Sequence, residues 1–142
     1  MNRRGYTLAE LMAAVIIMAI VAGLALPTFG RARERGFASS SQDILLAIYS
    51  GEQVFSTQNA GTYRAITEAD APAVWQLIFV DTPNAANFPA AFSVTVDNAA
   101  ATPTFLARAR RKDGGCINQT ITIDQTKTLA TSGAWSTTNG AC

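Results

Sequence analysis

Residues 5–29 read GYTLAELMAAVIIMAIVAGLALPTF, a membrane-length apolar run close to the N-terminus that holds a single charge, Glu10. About 20 predominantly apolar residues span a bilayer, and residues 11–26 are uninterrupted by any charged side chain. A carboxylate at the head of such a run is costly unless a specific group pairs with it. Cleavage between Gly5 and Tyr6 would supply one, because it exposes the Tyr6 amine one helical turn before Glu10.

Two other readings of this stretch explain less of it. A secretory signal needs a basic start, an apolar stretch of about 7–15 residues and a small-x-small cleavage site. Here the run is longer, Pro27 stands where cleavage would be wanted, and no clean Ala-x-Ala precedes Arg31. The Arg3-Arg4 pair also invites a twin-arginine reading. An ordinary single-pass anchor accounts for the apolar length and leaves Glu10 without a role.

Arg3 and Arg4 precede the run, and Arg31, Arg33 and Arg35 follow it, so the positive-inside rule does not orient it by itself. The whole chain carries a formal +1; loss of the two leader arginines makes it +1 − 2 = −1. A near-neutral chain is no general polyanion binder. The 142 residues contain no histidine, which removes Ser-His-Asp, Cys-His and His-metal chemistry. Lys112 and Lys127 are the only lysines and neither stands in a catalytic motif, and the ten carboxylates are scattered rather than grouped as in a calcium loop. The expectation is a non-enzyme that needs no cofactor or metal.

The pattern beyond the apolar run is one long helix followed by a small sheet. From Tyr6 to about Gln58 there is no strand-like alternation and the only proline is Pro27. Phe37, Ile44, Ile48 and Phe55, with Leu45 and Tyr49 beside them, form an apolar stripe. Ser39, Ser40, Gln42, Asp43, Glu52 and Gln53 are assigned to the opposite side, and Asn59, Ala60 and Gly61 supply stop chemistry. Such a helix is on the order of 78 Å long, more than a head of about 110 residues can cover. Its first half therefore finds its burial in lipid or in other copies. Pro27 removes one backbone donor and marks a kink.

Asp70 and Pro72 can open a short helix through Trp75 and Ile78. Three alternating runs follow: Phe92/Val94/Val96 with Ser93 outward, Phe105/Ala107/Ala109, and Ile121/Ile123; a fourth strand covers 128–131. The expected class is α+β, a long N-terminal helix packed against a three- to four-stranded antiparallel sheet.

The residues of the N-terminal stretch resemble the type IV pilins and their pseudopilin relatives, whose short basic leader ends in Gly before a Phe-Thr-Leu-Ile-Glu segment. Here the leader is Met1-Asn2-Arg3-Arg4-Gly5, and Tyr6-Thr7-Leu8-Ala9-Glu10 follows, with Tyr for the usual Phe and Ala9 for the usual Ile or Val. The resemblance is specific over roughly the first 30 residues and architectural beyond them. It implies a leader (1–5), an apolar half-helix (6–30) that is transmembrane or filament core, and a soluble head (31–142). Gly5 would be the residue before cleavage, Tyr6 the N-methylated start, Glu10 the partner of the new amine, and Pro27 a kink ending a stretch, from about Ala19 to Pro27, where helicity is lost on assembly.

The implied partners are further copies in a helical filament, a prepilin peptidase/methyltransferase, an inner-membrane assembly platform, and membrane lipid before assembly. The implied role is an inner-membrane-stored subunit of an extracellular fibre for adhesion, twitching motility or DNA uptake; the alternatives are a type II secretion pseudopilin and a DNA-binding competence pilin. Cys116 and Cys142, the only cysteines, read as a disulfide or as two buried thiols; the resemblance favours a bridge closing a C-terminal region. Arg108, Arg110, Arg111 and Lys112, before Asp113-Gly114-Gly115, read first as a solvated turn and second as contacts to nucleic-acid phosphates.

Overall fold

The computed structural model describes residues 7–81, 83, 84, 87–140 and 142, with the side chains of 24–27 outside that description. The elements run α1 (Leu8–Gln58), α2 (Pro72–Gln76), β1 (Ala90–Asp97), β2 (Thr104–Arg111), β3 (Thr120–Asp124) and β4 (Leu129–Ser132). The four strands form one antiparallel meander in the order β1-β2-β3-β4, and β2 and β3 lie on the second half of α1. The chain is therefore α+β, with the fourth strand present.

At 51 residues α1 is roughly 75 Å long. It is helical throughout, including positions 19–27. Its first half is bare over residues 8–21, where the large apolar side chains are all at least 56% exposed. This is the one helix among the described residues long and apolar enough to cross a membrane. The helix stops where the sequence indicates. Ala60 and Gly61 adopt positive φ (54° and 84°), and the Gly61 N–H donates to the Ser56 carbonyl at 2.9 Å.

The second half buries a stripe at 34, 38, 41, 45, 48 and 52, alternating steps of four and three. Leu45 and Ile48 lie at its centre and share one core with Phe92, Phe105, Ala107, Ile121 and Ile123 of the sheet. Each such large aliphatic or aromatic side chain contributes about 1.5–3 kcal/mol by leaving water. Phe37, Ile44, Tyr49 and Phe55 flank this line half-buried. Glu52, assigned to the polar side from its chemistry, is fully buried. Its position decides this, since it lies four residues after Ile48 and seven after Leu45.

The sheet alternates as expected on β2 and β3, whose inward residues are Phe105, Ala107, Ala109, Ile121 and Ile123. Arg111 continues the odd-numbered parity and is buried too. β1 departs from simple alternation because Ala91 and Ser93 are also buried. In the register they oppose Arg110 and Arg108, and Arg110 reaches across that face to Glu68. The open edge of β1 is partly occupied: Ile66 bridges Val94 through two backbone hydrogen bonds (3.0 and 2.7 Å), and the Asn84 side chain pairs with both backbone groups of Phe92. That covering removes part of an exposed pairing surface.

Candidate assembly and anchoring sites

Glu10 begins the apolar half and has local partners. Its Oε2 accepts from the Thr7 N–H at 2.8 Å and from the Thr7 hydroxyl at 3.0 Å, and the Glu10 N–H donates to Thr7 Oγ1 at 3.3 Å. Thr7 and Glu10 thus form a capping box, which satisfies two backbone donors that a helix start leaves open. The Thr-x-x-Glu spacing is legible in the sequence and gives the carboxylate a role as a single chain. Gly5 and Tyr6, the residues assigned to processing, lie outside the described residues, as does the Pro27 side chain.

The basic group near the end of β2 is split by strand parity. Arg111 points inward, with only 2% of its side chain exposed. Its Nε and Nη2 donate to the two carboxylate oxygens of Glu34 (3.0 and 2.9 Å), and Nη1 donates to the Pro89 carbonyl at 2.7 Å and to Asp113. The guanidinium also lies 4.7 Å from the Phe37 ring centroid. These hydrogen bonds, the Glu34 pair first, hold the guanidinium above its ordinary pKa. Arg110 points outward and grips Glu68 through two hydrogen bonds (3.0 and 2.5 Å), which push the Glu68 carboxyl below its usual range. Of the four residues assigned to phosphate contact, Arg108 is exposed, Lys112 is half-buried, and Arg110 and Arg111 are spent on ion pairs. The structure does not gather them into one cationic face.

Cys116 and Cys142 are joined, with Cα atoms 5.0 Å apart. Cys116 is fully buried. The returning C-terminal segment is held at further points: Gln119 Oε1 accepts from the Trp135 N–H at 2.7 Å, and Arg35 Nε donates to the Asn139 carbonyl at 3.2 Å. Gly140 lies so close to the Arg31 carbonyl that a Cβ there would be 2.7 Å from it. The segment therefore closes beside residues 31–35, where α1 leaves its apolar half.

Two features escape a reading by composition. Glu52 Oε2 accepts from the Arg64 N–H at 2.9 Å while Oε1 has no hydrogen-bond partner, and burial raises this carboxyl to about 7 against the opposing effect of the Arg64 N–H. Gly51 lets the segment after α2 press on the helix, since a Cβ there would fall 1.9 Å from the Ile78 carbonyl oxygen. The spacing from Leu45 and Ile48 could have flagged Glu52; nothing local signals the need at Gly51.

An exposed apolar half-helix, a head fastened to its other half and a capped acidic start define a membrane-anchorable α+β protein. Residues 1–26 match the prokaryotic N-terminal methylation motif, the class III signal of type IV pilins and pseudopilins. The match covers the N-terminal 26 of the 142 residues and supports a pilin- or pseudopilin-type precursor. No curated protein and no solved structure matches it.

Proposed function

We propose that this chain is a type IV pilin that is stored in the inner membrane through residues 6–30 and polymerises into an extracellular filament displaying the head, residues 31–142. The observation that carries this reading is the bare apolar half of α1, continuous with a half that buries one stripe against the head. In water that surface is unfavourable by about 25 cal/mol per Å², so lipid or neighbouring copies must cover it. The methylation motif supports removal of residues 1–5 by a prepilin peptidase, which leaves Tyr6 as a methylated N-terminus, and handling by an inner-membrane assembly platform. Glu10 then exchanges its Thr7 partners for the Tyr6 amine of its own or an adjacent copy, neutralising a charge and setting axial register. The disulfide-closed C-terminal segment, similar to that of many major pilins, favours the surface fibre over a secretion pseudopilus. Adhesion, motility or DNA uptake would be the use of that fibre.

The test is microscopy of sheared surface filaments with mass spectrometry of their subunit. The expected subunit begins at Tyr6, one methyl group heavier than the bare sequence. Filaments built from chains that keep Met1, or a subunit recovered only as a soluble monomer, would reject the proposal.

A further inference from the structure

The end of the head nearest the apolar half of α1 is a basic collar of defined depth. Phe29, 72% exposed, is the last large apolar side chain of the run. Arg31, Arg33 and Arg35 follow at two, four and six residues, roughly 3, 6 and 9 Å further along the axis. A bilayer's headgroup layer is about 5–8 Å thick on each side of a hydrocarbon core of about 30 Å, and residues 8–29 span about 33 Å. With the apolar half in the membrane, the three arginines fall in and just above the headgroups.

The fold adds to this collar from the sheet. The Arg111–Glu34 pin draws the end of β2 and the start of β1 onto α1, and opens a cleft of about 540 Å³ between them, lined by Arg33, Phe37, Phe88, Pro89, Lys112 and Asp113, with Arg111 and Gly114. Arg111 is saturated by Glu34, Pro89 and Asp113; Arg33, 56% exposed and 4.0 Å from Glu34 Oε1, and Lys112 are the other cations that line the cleft. Around this base five cations (Arg31, Arg33, Arg35, Arg111, Lys112) face two acids (Glu34, Asp113), a formal +3. The rest of the head carries four cations (Arg64, Arg108, Arg110, Lys127) against seven acids, a formal −3. The head's excess of positive charge thus lies at the base, next to the apolar half of α1.

We propose that the cleft between Arg33 and Lys112 is a binding site for the phosphate of an anionic phospholipid headgroup, which seats the head on the membrane surface while the subunit waits in the bilayer. The site rests on the membrane-stored reading above. It would be vacated when the subunit leaves the bilayer, so lipid retention belongs to the stored state.

The test uses the full chain purified in neutral detergent and given equal phosphatidylglycerol and phosphatidylcholine, with bound lipid counted by native mass spectrometry. Each cation at a headgroup layer is worth about a fivefold change. The double variant Arg33→Gln/Lys112→Gln is expected to lose a phosphatidylglycerol preference of roughly 25-fold. Arg108→Gln/Lys127→Gln, an equal charge loss away from the base, should keep it. Arg3 and Arg4 are common to all variants, and Trp75 and Trp135 fluorescence melts establish that each is folded. Equal retention of both lipids by the wild type, an unchanged preference in the Arg33/Lys112 variant, or displacement of the lipid by millimolar inorganic phosphate would each overturn the headgroup site. A wild-type chain that floats with neutral vesicles yet shows no anionic preference overturns this inference alone; failure to float overturns the membrane-stored reading with it.

Discussion

Glu52→Gln separates the effect of a buried charge from the effect of the side chain that carries it. Glu52 is fully buried, has one oxygen without a partner, and holds its proton to about pH 7 in the fold against 4.5 for an ordinary glutamate. A raised folded pKa means that the native state binds the extra proton over the window between those values, so stability is complete below about pH 4.5 and falls as pH rises through 7. The interval from 4.5 to about 7 corresponds to about 3 kcal/mol above the window. Glutamine keeps an acceptor for the Arg64 N–H and carries no charge, though its amide would itself lack a partner at a cost of about 1 kcal/mol. The variant is expected to be more stable than the wild type by about 2 kcal/mol at pH 8 and equal or slightly weaker at pH 4.5. Urea denaturation of the full chain in neutral detergent, followed by Trp75 and Trp135 fluorescence, reads the difference. Glu68 and Asp124 titrate in both proteins and cancel. Parallel stability curves for the two proteins between pH 4.5 and 8 would refute the assignment of a buried titrating carboxyl.

Arg111→Met takes from the buried Glu34 both hydrogen bonds of its carboxylate, leaving only Arg33 at 4.0 Å, and is expected to cost about 3–5 kcal/mol, with much of the loss recovered in Glu34→Leu/Arg111→Met; a single variant within about 1 kcal/mol of wild type by urea titration would contradict the pin. Gly51→Ala should destabilise by about 1–3 kcal/mol despite alanine's better helix propensity, because its methyl group meets the Ile78 carbonyl; an increase in melting temperature would show that the segment yields freely. Cys142→Ser, or reduction of the wild type, should lose about 3 kcal/mol from a 26-residue separation; identical denaturation with and without reductant would dismiss the bridge as a staple. Glu10→Ala should still insert in the membrane but enter filaments poorly, whereas Thr7→Ala loses a cap worth about 1 kcal/mol and still assembles; normal fibre yield from Glu10→Ala would remove the register role.

The long helix, its stop and the first three strands are legible because each rests on a local signal: the apolar run and its stripe, the Asn59-Ala60-Gly61 stop, and period-two alternation in 92–96, 105–109 and 121–123; β4, exposed throughout, has no alternation to mark it. The polar interior is not legible in this way. Arg111 and Glu52 were sorted by chemistry to the surface although strand parity and helical spacing both turn them inward, and the ion pair that holds Arg111 joins residues 77 positions apart. A partner so distant leaves no trace in a window of ten or twenty residues. Glu10 stands out as an anomaly in the apolar run, and that stronger signal masks the capping box it forms with Thr7.

The polar contacts at the two ends of the buried stripe have a mechanical meaning. Glu34 and Glu52 are 18 residues apart, which in an α-helix is five whole turns and about 27 Å, so both lie on one meridian of the rod. Arg111 grips one and the Arg64 backbone the other. A body clamped twice along the same line cannot swivel about the shaft, so the head turns together with the half of the rod that carries it. The azimuth at which each head faces outward would then be dictated by how the rods nest, without a separate adjustment for every copy.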